Sequence, residues 1–344
     1  MKLDVRIKKV LRDFVLEVEF SVRDEVFALL GASGCGKSMT LKIIAGIETP
    51  DEGQIVLNGR TLFDSEKKIN LPPQIRRVGY LFQNYALFPN MTVAENILFA
   101  ASGNDNERNF KLEENLARFK LKGLENSYPH ELSGGQAQRV AFARVLASHA
   151  EILLLDEPFS ALDSHLKWQL ELELAEVFKI YGAAVLVSHD RGEVFRMADK
   201  VAVIDAGKLE AFGSKKEIFQ HPPTVAAALL TGCQNISAAK KIAEDKIFAE
   251  DWKMTLTAKK IPDDLKFIGI RAFDLEQASA TGENIFAVKV ADITEEPLNF
   301  TVTICIEEDA LPFRWQVEKK FWRGAVDGTV LIKLPADKLI FLRK

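Results

Sequence analysis

Leu16, Val18, Phe20 and Val22 alternate with Glu17, Glu19 and Ser21, the pattern of a strand with one buried and one solvated face. The chain therefore opens in antiparallel sheet. After Arg23-Asp24 the texture changes: residues 26–30 are unbroken apolar, as expected of a strand buried on both faces, and they lead into the turn GASGCGKS and the helical stretch MTLKIIAGI. Further buried strands are predicted at VGYLF (78–82), EILLLD (151–156), AAVLVS (183–188) and VAVID (201–205), with helical pattern between most of them. That alternation predicts an α/β domain, a mostly parallel sheet with helices on its faces.

Over 86–150 the strand signal disappears and amphipathic helix takes over, in TVAENILFA, ERNFKLEENLARF and the segment after LSGGQ. A helical subdomain is expected there as an insert. Beyond His221-Pro222-Pro223 and a last short helix, short alternating strands follow: IFAVKVADI, NFTVTICIE, GTVLIKLP and KLIFLRK. The reading is a first domain over 1–235 and a small all-β domain over 236–344, compatible with a five-stranded barrel of the OB type.

Length and composition agree, since 344 residues with 47% hydrophobic and 27% charged can fill two cores. A net charge of −4 without a dominant basic run argues against a general nucleic-acid surface. Cys35, Cys233 and Cys305 are far apart and form neither a disulfide framework nor a CxxC pair, which suits a reducing cytosol. The N-terminus alternates where a signal peptide needs an apolar core, and the longest apolar runs are too short to span a bilayer. A soluble protein is expected, able to dock on a membrane component.

Gly31-Ala32-Ser33-Gly34-Cys35-Gly36-Lys37-Ser38 fits G-x-x-x-x-G-K-[ST] in the required strand-to-helix context. Three glycines let the backbone curl so that N–H groups face phosphate oxygens, and the helix beginning near Gly36 adds the positive end of its dipole. Lys37 would reach the β- and γ-phosphates of a bound nucleotide and the Ser38 hydroxyl would ligate Mg²⁺. Kinases, GTPases, helicases and transport ATPases share this loop. At Leu153-Leu154-Leu155-Asp156-Glu157 an apolar strand ends in two carboxylates, which alternation at a strand end gives different tasks. Asp156 would hold Mg²⁺ through water and Glu157 would act as general base, a role typically worth about 10²–10⁴-fold. The plainer reading is that one acid caps the turn before Pro158. Cys35 lies at a helix N-terminus, where a thiol pKa tends to fall; alkylation there would block ATPase activity unless MgATP protects, the alternative being an inert small residue.

Leu132-Ser133-Gly134-Gly135-Gln136 opens the helix AQRVAFARVLA ahead of the LLLDE strand. With the loop and the paired acids, it resembles the signature of the ATP-binding-cassette (ABC) ATPases. The resemblance implies the P-loop ABC ATPase fold and a composite site: Ser133, Gly134, Gly135 and Gln136 of one chain close over ATP held by the P-loop of a second, in a homodimer. It also implies that Gln83, after VGYLF, touches Mg²⁺ and the lytic water, and that His189, after AAVLVS, contacts the γ-phosphate. Ser160-Ala161-Leu162-Asp163 looks like the loop that crosses the dimer interface. Phe14 is the candidate to stack on adenine, with core packing as the other reading. Met39 follows Ser38 where relatives usually carry threonine, with little loss expected.

Cassette ATPases without membrane segments resemble the motor subunits of importers, peripheral on the cytoplasmic face of the membrane and coupled to two membrane permeases, with an external solute-binding protein acting indirectly. The receiving groove would lie beside Gln83, where Tyr85, Leu87, Phe88 and Pro89 either meet a permease helix or pack the helical insert. The compact start, TGCQNIS and GIRAFDL look most like the molybdate/sulfate importer group, in which the C-terminal β-domain is regulatory or dimerising; sugar, polyamine and iron importers stay open. A chromosome-maintenance cassette would carry a long coiled coil, a translation-factor cassette two P-loops, and a nucleotide kinase no LSGGQ, so action on ribosome or DNA is the reading from a different class.

Overall fold

The computed structural model describes residues 1–148, 150–160, 164–307 and 309–344. They divide into two compact units, Met1–Lys215 and Lys216–Lys344. The stretch 216–235 thus groups with the second unit.

The first unit is built on one mixed sheet of eleven strands. Val26–Leu30, Ala184–Ser188, Ile152–Asp156 and Val78–Leu81 lie side by side and parallel. The first three are buried along their whole length, which is why their sequences carry no alternation. Lys200–Asp205 runs parallel on the other side of Val26–Leu30. The register sets Leu30 opposite Ser188, Asp156 opposite Val187 and Leu81 opposite Leu155, so four chains leave the sheet at one edge.

Antiparallel strands extend this core. Lys2–Val10 pairs with Val15–Arg23, whose Leu16, Val18, Phe20 and Val22 are buried while Glu17 and Glu19 are exposed, as the alternation predicts. Glu52–Leu57, Arg60–Asp64, Ile69–Asn70 and Lys208–Ser214 are additional strands that the hydrophobic pattern did not reveal. Inside 86–150 lie the helices Val93–Ala100, Asp105–Arg118 and Gly134–Ala147. Each starts at a capping box: Thr92 with Glu95, Asn104 with Glu107, and Ser133 with Gln136. Among the described residues no helix is long and apolar enough to cross a membrane.

The helix that follows the glycine turn, Lys37–Ala45, buries Leu41, Ile43 and Ile44 in the sheet core. Its C-terminal carbonyls end on Arg76, a side chain with no solvent exposure. Arg76 donates to Ile43 O and Ile44 O at 2.8 Å, to Leu71 O at 2.7 Å and to Asn70 Oδ1 at 2.8 Å. A cation at this end complements the helix dipole. Burial pushes the guanidinium down to about 10, which leaves it charged at neutral pH.

The second unit begins within the short helix Lys215–Gln220, continues with the helix Val225–Leu230, capped by Thr224, and from Asn235 onward is built of strands apart from a single helical turn at Ala336–Lys338. Its described strands form two five-stranded antiparallel sheets, ten strands where the sequence suggested five. One sheet contains Asn235–Ala243 and Phe267–Ile270, the other Ile285–Glu295 and Asn299–Cys305. Ile247, Leu256 and Ile268 from the first share one core with Val302, Trp315 and Ile332 from the second.

Arg76→Met removes the donor shared by three backbone carbonyls, of which Ile43 O keeps a second donor in Gly46 N at 3.1 Å. It should lower unfolding free energy by about 3 kcal/mol, read as the shift of the urea midpoint at constant slope. A midpoint within error of wild type would show that the guanidinium does not support the helix.

Candidate functional site

The glycine turn is shaped by contacts that admit no side chain. Gly34 and Gly36 adopt φ of 80° and 108°, in the left-handed region where glycine carries no Cβ penalty. A Cβ on Gly31 would lie 2.4 Å from Ile204 O. Helix Lys37–Ala45 begins directly after Gly36, so its first-turn N–H groups have no partner within the helix. Lys37 is buried, with its ammonium donating to Gly31 O and Ala32 O at 2.8 Å. Ser33, Gly34 and Ala32 stay exposed on the outer side of the turn. Met39 is partly buried against the sheet core.

Ser38 faces the end of the neighbouring strand across the sheet, and its Oγ donates to Asp156 Oδ1 at 2.7 Å. The other carboxylate oxygen accepts from the Tyr80 hydroxyl at 2.9 Å. Burial and the Asp156 carboxylate push the Tyr80 phenol up, so it stays a donor. One residue further, Glu157 turns into the left-handed region with φ of 47°, its N–H held by Val187 O at 3.0 Å. Such a non-glycine conformation costs about 1 kcal/mol or more. The turn aims its carboxylate between two groups: Gln83 Nε2 donates to Oε2 at 3.1 Å, and His189 Nδ1 lies 3.2 Å from Oε1. The sequence-predicted Gln83, Glu157 and His189 therefore converge, as do Lys37, Ser38 and Asp156.

Beside Glu157 and His189 is a small cavity of about 130 Å³, lined also by Ser160, Lys167, Asp190 and Glu193. Lys167 Nζ bridges Asp190 Oδ2 and Glu193 Oε1, both at 2.5 Å. The larger grooves, about 670 Å³ on the antiparallel strands and 780 Å³ in the second unit, are lined by none of the residues above.

Ser133 caps helix Gly134–Ala147, accepting from Gln136 N at 3.3 Å while Gln136 Oε1 accepts from Ser133 N at 2.8 Å. Ser133 and Gly134 are exposed, and a Cβ on Gly134 would meet nothing within 4 Å, whereas one on Gly135 would lie 2.1 Å from Leu166 Cδ2. Phe14 stands against the turn: a Cβ on Gly36 would come within 3.4 Å of its ring. It also touches the sheet core, so both sequence readings have a physical basis. Ala161, Leu162 and Asp163 lie outside the described residues.

Sequence reasoning missed Tyr80, Lys167, Gln138 and Arg144. Gln138 and Arg144 sit in a helix that is buried on nearly every side, where a polar residue gives no periodic signal of its partner.

The oxygen set Ser38, Asp156 and the amide of Gln83 suits a hard cation such as Mg²⁺. Among the described residues no group of three or more His, Cys, Asp or Glu side chains is placed to hold a metal alone.

Cys35 departs from expectation. Its thiol is turned inward and buried, and burial outweighs the neighbouring Lys37 to push the pKa up, not down. Cys233 is pushed up to about 11 by burial, while Cys305 is partly exposed. Alkylation of the native protein should label Cys305 first, with Cys35 and Cys233 slow; peptide mapping that finds Cys35 labelled first would contradict this placement.

The ABC transporter family pattern matches residues 16–160. A spermidine/putrescine import ATP-binding protein of Acidothermus cellulolyticus is 44% identical over 62% of this chain and 56% of its own length. A Fe(3+) ions import ATP-binding protein of Haemophilus influenzae is 40% identical over 67% of this chain and 66% of its own. The chain thus spans less than two thirds of these relatives. A spermidine/putrescine import ATP-binding protein of Nitrosomonas europaea is 36% identical over 80% of this chain and 72% of its own length. Among solved structures, the ATP-binding cassette MJ0796, in a dimeric post-hydrolysis state bound to ADP and Pi, is 27% identical with a TM-score of 0.54, covering 62% of this chain and 99% of that one. The mixed sheet, glycine turn and helical insert are those of a P-loop cassette, and the chain belongs to the ABC transporter family.

Proposed function

We propose that this chain is the ATP-hydrolysing subunit of an ABC importer, working as a pair of cassettes against two membrane permeases at the cytoplasmic face of the membrane. The carrying observation is Glu157, held by Gln83 and His189 at the same sheet edge as the glycine turn. Lys37 would exchange the Gly31 and Ala32 carbonyls for phosphate oxygens. Ser38 and Asp156 would hold Mg²⁺, which when bound neutralises charge on the phosphates. Glu157 would accept a proton from the attacking water, with Gln83 and His189 fixing the direction of its lone pairs. Phe14, beside the turn, would stack on the base.

The exposed end of helix Gly134–Ala147 would close over nucleotide held by a second copy. Ser133 Oγ and the first helical N–H groups supply an anion-binding face that nothing in the same unit covers at Gly134.

For the solute, the relatives favour a cation. Their names refer to spermidine, putrescine and ferric ions, and none supports the molybdate or sulfate reading suggested by the compact start. We infer a polyamine or ferric-iron importer. The second unit is proposed to regulate or to strengthen pairing.

Glu157→Gln should retain nucleotide affinity while turnover falls by about 10²–10⁴-fold; near-normal turnover would remove Glu157 from the role. Gly134→Val, at a position where an added Cβ has no described neighbour within 4 Å beyond its own turn, should leave ATP affinity of the isolated subunit intact and reduce hydrolysis by about tenfold or more. Unchanged hydrolysis would count against a shared site. Uptake of radiolabelled spermidine, ferric iron and molybdate by cells with and without the gene then sorts the solutes, molybdate-only loss overturning the cationic reading.

A further inference from the structure

Two buried polar side chains on helix Gly134–Ala147 have no role in the mechanism above, yet both reach the residues around Glu157. Arg144 is 9% exposed, and its guanidinium donates to Ala86 O at 2.7 Å and Tyr85 O at 2.8 Å. Tyr85 and Ala86 both have left-handed backbone, with φ of 62° and 45°, and they follow Gln83 within three residues. Two successive non-glycine residues in that region persist only where neighbours hold them. Arg144 also stacks over Phe88, 5.4 Å from the ring centroid.

Gln138, with no exposure, does the equivalent on the other side. Its amide donates to Pro158 O, the residue after Glu157, and its Oε1 accepts from the Tyr85 hydroxyl at 3.4 Å. Tyr85 is thus fixed at both ends by one helix. The contacts close a ring: Gln83 to Glu157, Pro158 to Gln138, along the helix to Arg144, and back through Ala86 and Tyr85 to Gln83.

We propose that Gln138 and Arg144 are positioning residues that set the Gln83–Glu157 geometry, so that displacement of the signature helix is felt at the general base of the same chain. The proposal rests on the hydrolytic reading of Glu157. Six residues separate the two side chains, about 9 Å of helix that moves as one body. Its exposed first turn, Ser133 and Gly134, is where the second copy's nucleotide would engage. The ring would therefore tie two nucleotide sites together, since occupancy of one would bear on a helix that holds Pro158, next to the base of the other, and the turn that follows Gln83.

The test uses the full chain with Arg144→Lys, which keeps the charge but loses the two-pronged fork, and Tyr85→Phe, which removes only the hydroxyl contact to Gln138. Each is measured for thermal midpoint, kcat and KM for ATP, alone and combined with Gln83→Ala. Positioning predicts a fall in kcat of about tenfold for Arg144→Lys and a smaller one for Tyr85→Phe, with KM little changed. In the Gln83→Ala background the further loss should be less than about twofold, because the group being positioned is gone. Wild-type kcat in both single variants, or losses that multiply fully with Gln83→Ala, would overturn the proposal. If Arg144→Lys does not fold, Tyr85→Phe with Gln83→Ala decides by the same criterion. Glu157→Gln, measured in parallel, separates the two failures: normal turnover in it refutes the hydrolytic reading, whereas an inactive Glu157→Gln beside a fully active Arg144→Lys refutes positioning alone.

Discussion

Parallel pairing in register is the constraint on which the site depends. Leu30, Ser188, Asp156 and Leu81 end adjacent strands, so the next residue or two of each chain emerge together: Gly31, His189, Glu157 and Gln83. No loop has to search for its partner. Parallel strands with apolar faces on both sides must be buried, and that same burial stiffens the platform from which these short extensions project. A slip of one residue would turn Asp156 and Glu157 to opposite roles, separating Ser38 from its carboxylate.

The platform also explains how a strained group is kept. Glu157 occupies a left-handed conformation, and the cost is carried by the Val187 carbonyl, by Gln83 and by His189. Ser38 and Tyr80 each donate to one oxygen of Asp156, which fixes the orientation of its carboxylate and leaves a lone pair on each oxygen for a further partner. At the C-terminal end of helix Lys37–Ala45, Arg76 meets the carbonyl groups. Both ends of that helix are thus defined, one by glycine backbone and the other by a buried cation.

Much of this was legible along the chain, for a physical reason. Buried parallel strands lack alternation, and the glycine turn needs glycine at left-handed positions. The strands Glu52–Leu57 and Arg60–Asp64 were not legible because they mix partial burial with Gly53, where a Cβ would lie 2.0 Å from Arg6 O, so no pattern of period two runs through them. Asn235–Ala243 ends in an exposed lysine-bearing stretch, so half of it reads as loop. Arg76, Gln138 and Arg144 were hidden because their partners are backbone carbonyls distant in sequence. Cys35 misled for a related reason: its helix position was visible, its burial was not.

The central claim is that the edge shared by the glycine turn, Asp156 and Glu157 is where a nucleoside triphosphate is bound and cleaved. A crystal structure of the Glu157→Gln chain grown with ATP and Mg²⁺ tests it most directly. The account predicts triphosphate density along Gly31 to Ser38, with a metal between Ser38 and Asp156 and a second copy presenting Ser133. Triphosphate seated elsewhere, or held at this edge by a single copy with Ser133 facing solvent, would contradict it.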